Sequence, residues 1–240
     1  MAFGLEKNNI NHEKVIIASE INKSFDLGTR KIAALKNINL EIKSTDFLII
    51  FGHSGCGKST LLNIISGIDE PTSGKVIVRD EDIFSMSEDN RGQFRSKKMG
   101  IIHQMPYWIK SLNVIENVAM PLIIEGVKKH QAVARAKKHM HELKISHLSH
   151  QRPTQLSGGE QQKINFARAT VSNPWIIIAD EPTGNLDSTA SDEMMALFSQ
   201  YNQHQKKTII LVTHNQSYWD MGTRRIEMKD GEVVREVHHG

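Results

Sequence analysis

The sequence lacks the features that would place it in several classes of protein. Cys56 is the only cysteine among 240 residues, which excludes a framework of internal disulfides and favours a reducing compartment. No apolar run approaches the roughly 18 residues expected of a membrane-spanning helix. Residues 1–13 are polar and have no apolar core of the kind found in a signal peptide. These absences predict a soluble, cytoplasmic protein.

A strong charge of one sign is also missing. The chain has 30 basic and 27 acidic side chains, for a formal net charge of +3, and this balance gives no argument for nucleic-acid binding. The length suits one large domain or two small ones, with enough residues for a buried core. Composition alone therefore leaves the function open.

A glycine-rich loop stands out against this background. An apolar run at 47–51 leads into the loop at 52–60, and helix-like apolar spacing follows over 61–65. This order of strand, glycine loop and helix is the context that a phosphate-binding loop requires. The predicted binding residues are Gly52, Ser54, Gly55, Cys56, Gly57, Lys58, Ser59 and Thr60.

The residue types of this loop suit nucleotide chemistry. Glycines let backbone N–H groups converge on phosphate oxygens, and the N-terminus of the following helix adds partial positive charge. Lys58 is predicted to reach the β- and γ-phosphates, and the Ser59 hydroxyl to hold Mg²⁺. The alternative, a chance glycine-rich turn, does not account for the strand and helix on either side.

Polar residues suited to phosphate or metal chemistry follow four apolar runs. The runs end at Phe51, Ile102, Ala179 and Val212, and are followed by the glycine loop, Gln104, Asp180 with Glu181, and His214. Apolar runs that alternate with helices indicate an open parallel α/β sheet. Ligands of such sheets bind beyond the carboxyl ends of the strands. The sequence therefore predicts that these residues meet at one edge.

Asp180 and Glu181 form the second nucleotide motif. Asp180, at the strand end, is predicted to hold Mg²⁺ through a coordinated water, and Glu181 to act as general base on the attacking water. The alternative is an ordinary strand followed by an acidic turn, since Pro182 and Gly184 come next.

A second pair of glycines opens a predicted helix that runs to about Val171. The motif consists of Leu156, Ser157, Gly158, Gly159 and Glu160. Ser157 and Glu160 match a capping box, so a purely structural role exists. Glycine costs helix stability, however, and the pair makes sense if the phosphate of another molecule must approach this helix end closely.

Taken in order, these motifs are similar to those of ABC-transporter ATPases, and the resemblance extends from Val15 onward. It implies an α/β fold: a P-loop NTPase (RecA-like) core with a mainly parallel sheet, an N-terminal antiparallel β-subdomain and an inserted α-helical subdomain. Within a single ABC ATPase domain, 14–86 and 172–240 would form the β-subdomain and core. Residues from about 87 to 171 would form the helical subdomain and signature helix.

The resemblance also implies ligands and roles. The ligands are ATP and Mg²⁺, and two copies dimerise on binding ATP. Implied catalytic residues are Lys58, Glu181 and His214, and implied metal ligands are Ser59, Gln104 and Asp180. Phe25 would stack on adenine, Leu156 to Glu160 would bind the ATP held by the opposite subunit, and Asp187 would communicate across the dimer.

The segments 28–30, 116–122 and 179–187 resemble one branch, which contains lipoprotein-releasing, macrolide-efflux and cell-division ATPases. This branch implies a separate transmembrane permease, contacted near Gln104 to Trp108, a location on the inner face of the cytoplasmic membrane, and no nucleic acid. A mechanical signalling complex of the cell-division type is the alternative. A soluble ATPase acting on DNA or ribosomes is the rival from another class.

Three other features have plain structural interpretations beside functional ones. The twelve histidines, including His139 and His141, have no matched ligand set, which favours a solvated surface over a metal site. The basic run 128–138 is predicted to be a solvated helix face, with apposition to anionic lipid as the alternative. Tyr107 and Trp108 belong either to the core or, by resemblance, to a groove for the membrane partner.

Overall fold

The computed structural model describes residues 14–26, 28 and 30–238. The polar segment 1–13 and Thr29, the middle residue of the predicted turn 28–30, lie outside the described residues.

Two sheets form the framework. The first is antiparallel, with strands β1 (Lys14–Asp26), β2 (Lys31–Lys43), β4 (Ser73–Val78) and β5 (Glu81–Asp82) in the order β2-β1-β4-β5. The second has the order β10-β9-β3-β8-β7-β6 and contains β3 (Phe47–Gly52), β6 (Met99–Ile102), β7 (Ile176–Asp180), β8 (Thr208–Val212), β9 (Arg224–Lys229) and β10 (Glu232–His238). Only β10 pairs antiparallel in this sheet. The α/β fold with a mainly parallel core is confirmed.

Among the described residues, six helices and three short 3₁₀ segments connect the strands. The helices are α1 (Lys58–Ile65), α2 (Glu88–Lys98), α3 (Val114–Ile124), α4 (Lys129–Glu142), α5 (Gly158–Thr170) and α6 (Ser188–Gln203), and the 3₁₀ segments are Ser146–Leu148, Pro153–Gln155 and Gln216–Met221. In the described ranges, no helix is both long and apolar enough to cross a membrane.

The register of the parallel strands aligns their carboxyl ends. Ile50 of β3 is paired with Val212 of β8, and Val212 with Asp180 of β7. Ile102 of β6 is paired with Ala179. These strands are apolar along their length and buried, as expected for a sheet covered on both faces. The residues that follow each strand therefore reach the same edge.

Helices α3, α4 and α5 share a separate core that includes Val118, Ala136, Met140 and Ile164. The segment predicted as helical, 87–171, also contains β6, which pairs with β7 in the six-stranded sheet. The sheet therefore extends into that segment, as expected from the apolar run that ends at Ile102. The exact division into subdomains remains a prediction.

Candidate active site

The glycine loop has the backbone geometry that its sequence demands. Gly57 caps α1 with a φ of 103°, and a Cβ there would lie 2.5 Å from the carbonyl oxygen of Ala34. At Gly52 a Cβ would overlap the carbonyl oxygen of Met228. Only glycine accommodates both the positive φ and the close backbone approach, so these two residues determine the path of the loop into the helix.

Lys58 is folded across this loop. Its Nζ donates to the carbonyl oxygens of Gly52 (2.8 Å) and His53 (2.9 Å), and the residue is only 9% exposed. Among the described residues no carboxylate forms an ion pair with it. The Cys56 thiol is buried on the inner side of the loop, 3.9 Å from the same Nζ. A buried ammonium held by neutral carbonyls is well placed to accept an anion.

The strand ends enclose a cavity of about 410 Å³ above the loop. Its lining consists of Ala34, Gly52, Ser54, Gly55, Gly57, Lys58, Ser59, Thr60, Gln104, Asp180, Glu181 and His214. The predicted meeting of four strand ends at one edge is therefore found in the geometry. Ala34 is an addition that the sequence did not indicate, because it comes from β2 and reaches the loop only through the tertiary fold.

Glu181 and His214 form a pair at this edge. His214 Nδ1 lies 2.8 Å from Glu181 Oε2, and the Glu181 N–H donates to the carbonyl oxygen of Val212 at 3.0 Å. Glu181 has a φ of 46°, a conformation that is costly for a residue with a Cβ and that concentrates at functional sites. The backbone strain and the histidine together determine where this carboxylate lies.

The cavity also supplies oxygen ligands of the kind that Mg²⁺ prefers. A hydroxyl from Ser59, an amide from Gln104 and a carboxylate from Asp180 all line it. Mg²⁺ is usually held by one or two carboxylates together with substrate phosphates, so these residues fit the ion. Elsewhere, no cluster of three or more His, Cys, Asp or Glu side chains suited to a metal occurs in the described part of the chain. His139 instead contacts Thr170, with Nε2 and Oγ1 2.8 Å apart.

The segment after β6 is tied to helix α5. Its bonds run from Gln162 Nε2 to the Gln104 carbonyl (2.8 Å), from Trp108 Nε1 to Gln161 Oε1 (3.0 Å), and from Arg168 to the Tyr107 carbonyl (2.6 Å). Burial lowers the pKa of the Arg168 guanidinium. No role was predicted from the sequence for Gln161, Gln162 or Arg168, although a buried polar helix residue requires a partner. Gln162 is 5% exposed. Its place on the buried side of α5 was the sequence signal that its amide needs a partner.

The start of α5 lies apart from the cavity. Ser157 is the N-cap, and both its N–H and its hydroxyl donate to Glu160 Oε2 at 2.8 Å. The bond from the Ser157 backbone lowers the pKa of the Glu160 carboxyl. Ser157 and Gly158 are exposed, and Leu156 is buried. The capping box is therefore present, and the helix end above it is open to another molecule.

Phe25 and Asp187 also lie outside the cavity lining. Phe25, the last residue but one of β1, has 41% of its surface exposed, and Lys23 Nζ lies 5.1 Å from its ring centroid. Asp187 is the N-cap of α6, where its Oδ1 accepts from the Ala190 N–H at 2.8 Å. Within one chain, the loop, Gln104, Asp180, Glu181 and His214 therefore line the same cavity. Phe25, the segment 156–160 and Asp187 lie outside it.

Comparison with known proteins gives consistent matches. The family model described as ABC transporter matches residues 35–184. An uncharacterized ABC transporter ATP-binding protein of Methanocaldococcus jannaschii is 42% identical over 93% of this chain and 100% of its own length. The lipoprotein-releasing system ATP-binding protein LolD of Colwellia psychrerythraea is 36% identical over 92% of this chain and 85% of its own length.

A solved structure shares the fold over almost the whole chain. It is a dimeric, post-hydrolysis state of the ATP-binding cassette MJ0796, also from M. jannaschii, bound to ADP and Pi. The TM-score is 0.88 at 37% identity, with 94% of this chain and 99% of the other covered. The chain therefore belongs to the ABC transporter family, as an ATPase of the branch that includes the lipoprotein-releasing protein LolD.

Proposed function

We propose that this ATPase forms a homodimer on binding ATP and thereby drives a separate membrane-spanning partner, in lipoprotein release or efflux. The exposed start of α5 carries the proposal. Ser157 and Gly158 present a helix N-terminus suited to phosphate, yet they do not line the phosphate cavity of their own chain. A second copy offers the missing phosphate, and the dimeric form of the cassette MJ0796 supports this arrangement.

Hydrolysis follows from the positions of the side chains at the cavity. Glu181 accepts a proton from the attacking water while the new oxygen–phosphorus bond forms and the bond to the ADP oxygen breaks. His214 holds the carboxylate through its contact with Oε2. Lys58 exchanges its two carbonyl acceptors for phosphate oxygens and offsets their charge. Mg²⁺, held by Ser59, Gln104 and Asp180, would add further charge compensation when bound.

A groove along the edge strand β6 is the proposed contact for the membrane partner. It has a volume of about 860 Å³ and lies between α2, β6, the end of α3 and the last turn of α5. Nearby, Met105, Tyr107 and Ile124 are each about 70% exposed, and apolar surface of this kind marks interaction sites. The hydrogen bonds between 104–108 and α5 would transmit movement of the partner both to Gln104 and to the signature end of α5.

Co-purification from membranes of the native host tests this proposal. Wild type and Glu181→Gln are isolated in gentle detergent with and without ATP, and the captured proteins are identified. We expect to capture a polytopic membrane protein, in an amount that increases with ATP. We also expect the chain to lie on the cytoplasmic side of the membrane. Its periplasmic domain would separate extraction or efflux from signalling of the cell-division type. Recovery of soluble partners alone would contradict the proposal.

A further inference from the structure

Positive charge is concentrated in one part of the chain. Residues 128–152 contain seven Lys and Arg side chains and a single acidic residue, Glu142. The rest of the chain has 23 basic and 26 acidic side chains, so it is slightly negative although the whole protein carries +3. A segment of this kind creates a local positive potential that the overall composition conceals.

Helix α4 directs these charges to the surface. Its buried side consists of Ala132, Ala136 and Met140, which pack against α3 and α5. Six of the seven cations, all except Arg152, lie in or next to α4, point away from that core and are exposed. We call them the basic face: Lys128, Lys129, Arg135, Lys137, Lys138 and Lys144.

Ion pairs neutralise little of this face. Lys129 lies 3.3 Å from Glu116, and Lys138 lies 4.0 Å from Glu142, in both cases with the lysine at least 70% exposed. Exposed pairs of this type contribute little. In the described part of the chain, no carboxylate forms an ion pair with the other four cations. The face is therefore available to an anionic partner.

The basic face adjoins the groove proposed for the membrane partner. Ile124 and Glu125, at the end of α3, line that groove, and Lys128 follows three residues later. Ile124 is 71% exposed, so an apolar side chain stands beside the cations. This combination of basic and apolar groups is typical of a surface that contacts a membrane.

We propose that the basic face binds anionic lipid headgroups at the membrane in which the partner lies. The orientation of the chain toward the partner's membrane rests on the proposed function, whereas the binding of lipid by the basic face does not. A nucleic acid is the less suitable ligand, because 128–152 contains no Phe, Tyr or Trp on which a base could stack. Lipid contact at the basic face would keep the groove turned toward the bilayer before or while the membrane partner docks in it.

Vesicle sedimentation tests the proposal with the purified full chain. The probes are phosphatidylcholine vesicles with and without phosphatidylglycerol, at low and high salt. We expect binding only to the anionic vesicles and loss of binding in high salt. Each cation near a charged surface contributes about a fivefold change in partitioning, so Lys137→Gln combined with Lys138→Gln should weaken binding by about 25-fold.

Matched variants distinguish a specific face from total charge. Lys43→Gln with Lys229→Gln removes the same charge from exposed residues outside the face and should leave binding unchanged, as should Lys137→Arg with Lys138→Arg. The proposal would be overturned if both glutamine pairs weakened binding equally or if neutral vesicles bound the chain equally well. It would also be overturned if no vesicles bound, or if the chain bound DNA in preference to vesicles. Because no membrane partner is present, failure here leaves the proposed function untouched.

Discussion

Two helix starts in this molecule differ in what surrounds them. At the start of α1, the glycine loop lies beneath a cavity that is shared with the ends of three other strands. At the start of α5, the Ser157 hydroxyl is bonded to its own capping partner Glu160, and the residue is exposed. Both ends offer N–H groups and a positive dipole. The first already has its catalytic neighbours within the chain, whereas the second requires them from another molecule.

The largest effect is expected at the cavity above the start of α1, where the catalytic neighbours come from the same chain. Glu181→Gln removes the general base while keeping the shape of the side chain, so steady-state ATP hydrolysis should fall by about 10²–10⁴-fold. ATP binding should persist, and ATP should convert the variant to a stable dimer. Phosphate release and size-exclusion chromatography measure the two properties.

Glu232→Gln, an exposed carboxylate on β10, is the matched control and should hydrolyse ATP at the wild-type rate. Rapid turnover by Glu181→Gln would exclude Glu181 as the base.

Mixing two inactive variants tests whether the two helix starts act across a dimer. Lys58→Ala disables the loop, and Gly158→Asp places a negative charge at the exposed start of α5, where there is room for a Cβ. Each should be inactive alone. In an equimolar mixture, hydrolysis should return to at most about a quarter of the wild-type rate, because half of randomly formed dimers are mixed and each has one intact site.

A mixture that remains inactive, although crosslinking detects mixed dimers, would count against the shared site. The control mixes Lys58→Ala with a double variant that carries both changes in one chain. Neither copy then supplies Lys58, so hydrolysis should not return.

The contrast between these regions also explains what the sequence could predict. The glycine loop, β7 with Asp180, and the capping box of Ser157 are local patterns, and each was found where it was predicted. The meeting of the glycine loop, Gln104, Asp180 and His214 at one edge followed from the rule for parallel sheets. The run that ends at Ile102 was included in that rule, and it does form an edge strand, although four residues alone do not distinguish a strand from part of a helix.

Features that depend on tertiary contacts escaped prediction. Helix α2 has no buried residue, so it shows no apolar period, although Ser87 caps it. The hydrogen bonds from α5 to 104–108 join residues that are far apart in sequence, and no local pattern reveals the partner of a buried glutamine. The adenine contact of Phe25 and the dimer contact of Asp187 remain predictions for the same reason.

The link between the two regions is open to a third test. Gln162→Leu removes the donor to the Gln104 carbonyl and the acceptor for the buried Asn165 amide, so the free energy of unfolding should fall by about 1–3 kcal/mol. ATPase activity of the isolated chain should change less than any stimulation by the membrane partner. Denaturant unfolding measures the first quantity. Gln131→Leu, on the exposed side of α4, is the control, and an equal effect of both would show that the bond contributes nothing specific.

The smallest effect concerns the capping box itself. Because hydrogen bonds from Ser157 lower the pKa of the Glu160 carboxyl in the folded state, this carboxylate stabilises the protein above the pKa that it has in the unfolded chain. The contribution is lost as the pH falls through the folded-state pKa. The stability difference between wild type and Glu160→Gln should therefore be greatest near neutral pH and shrink in acid. Unfolding of both proteins by urea between pH 7 and the acid limit of folding measures it. A difference that stays constant with pH would mean that the carboxylate charge does not act at this helix start, and that only its shape is needed there.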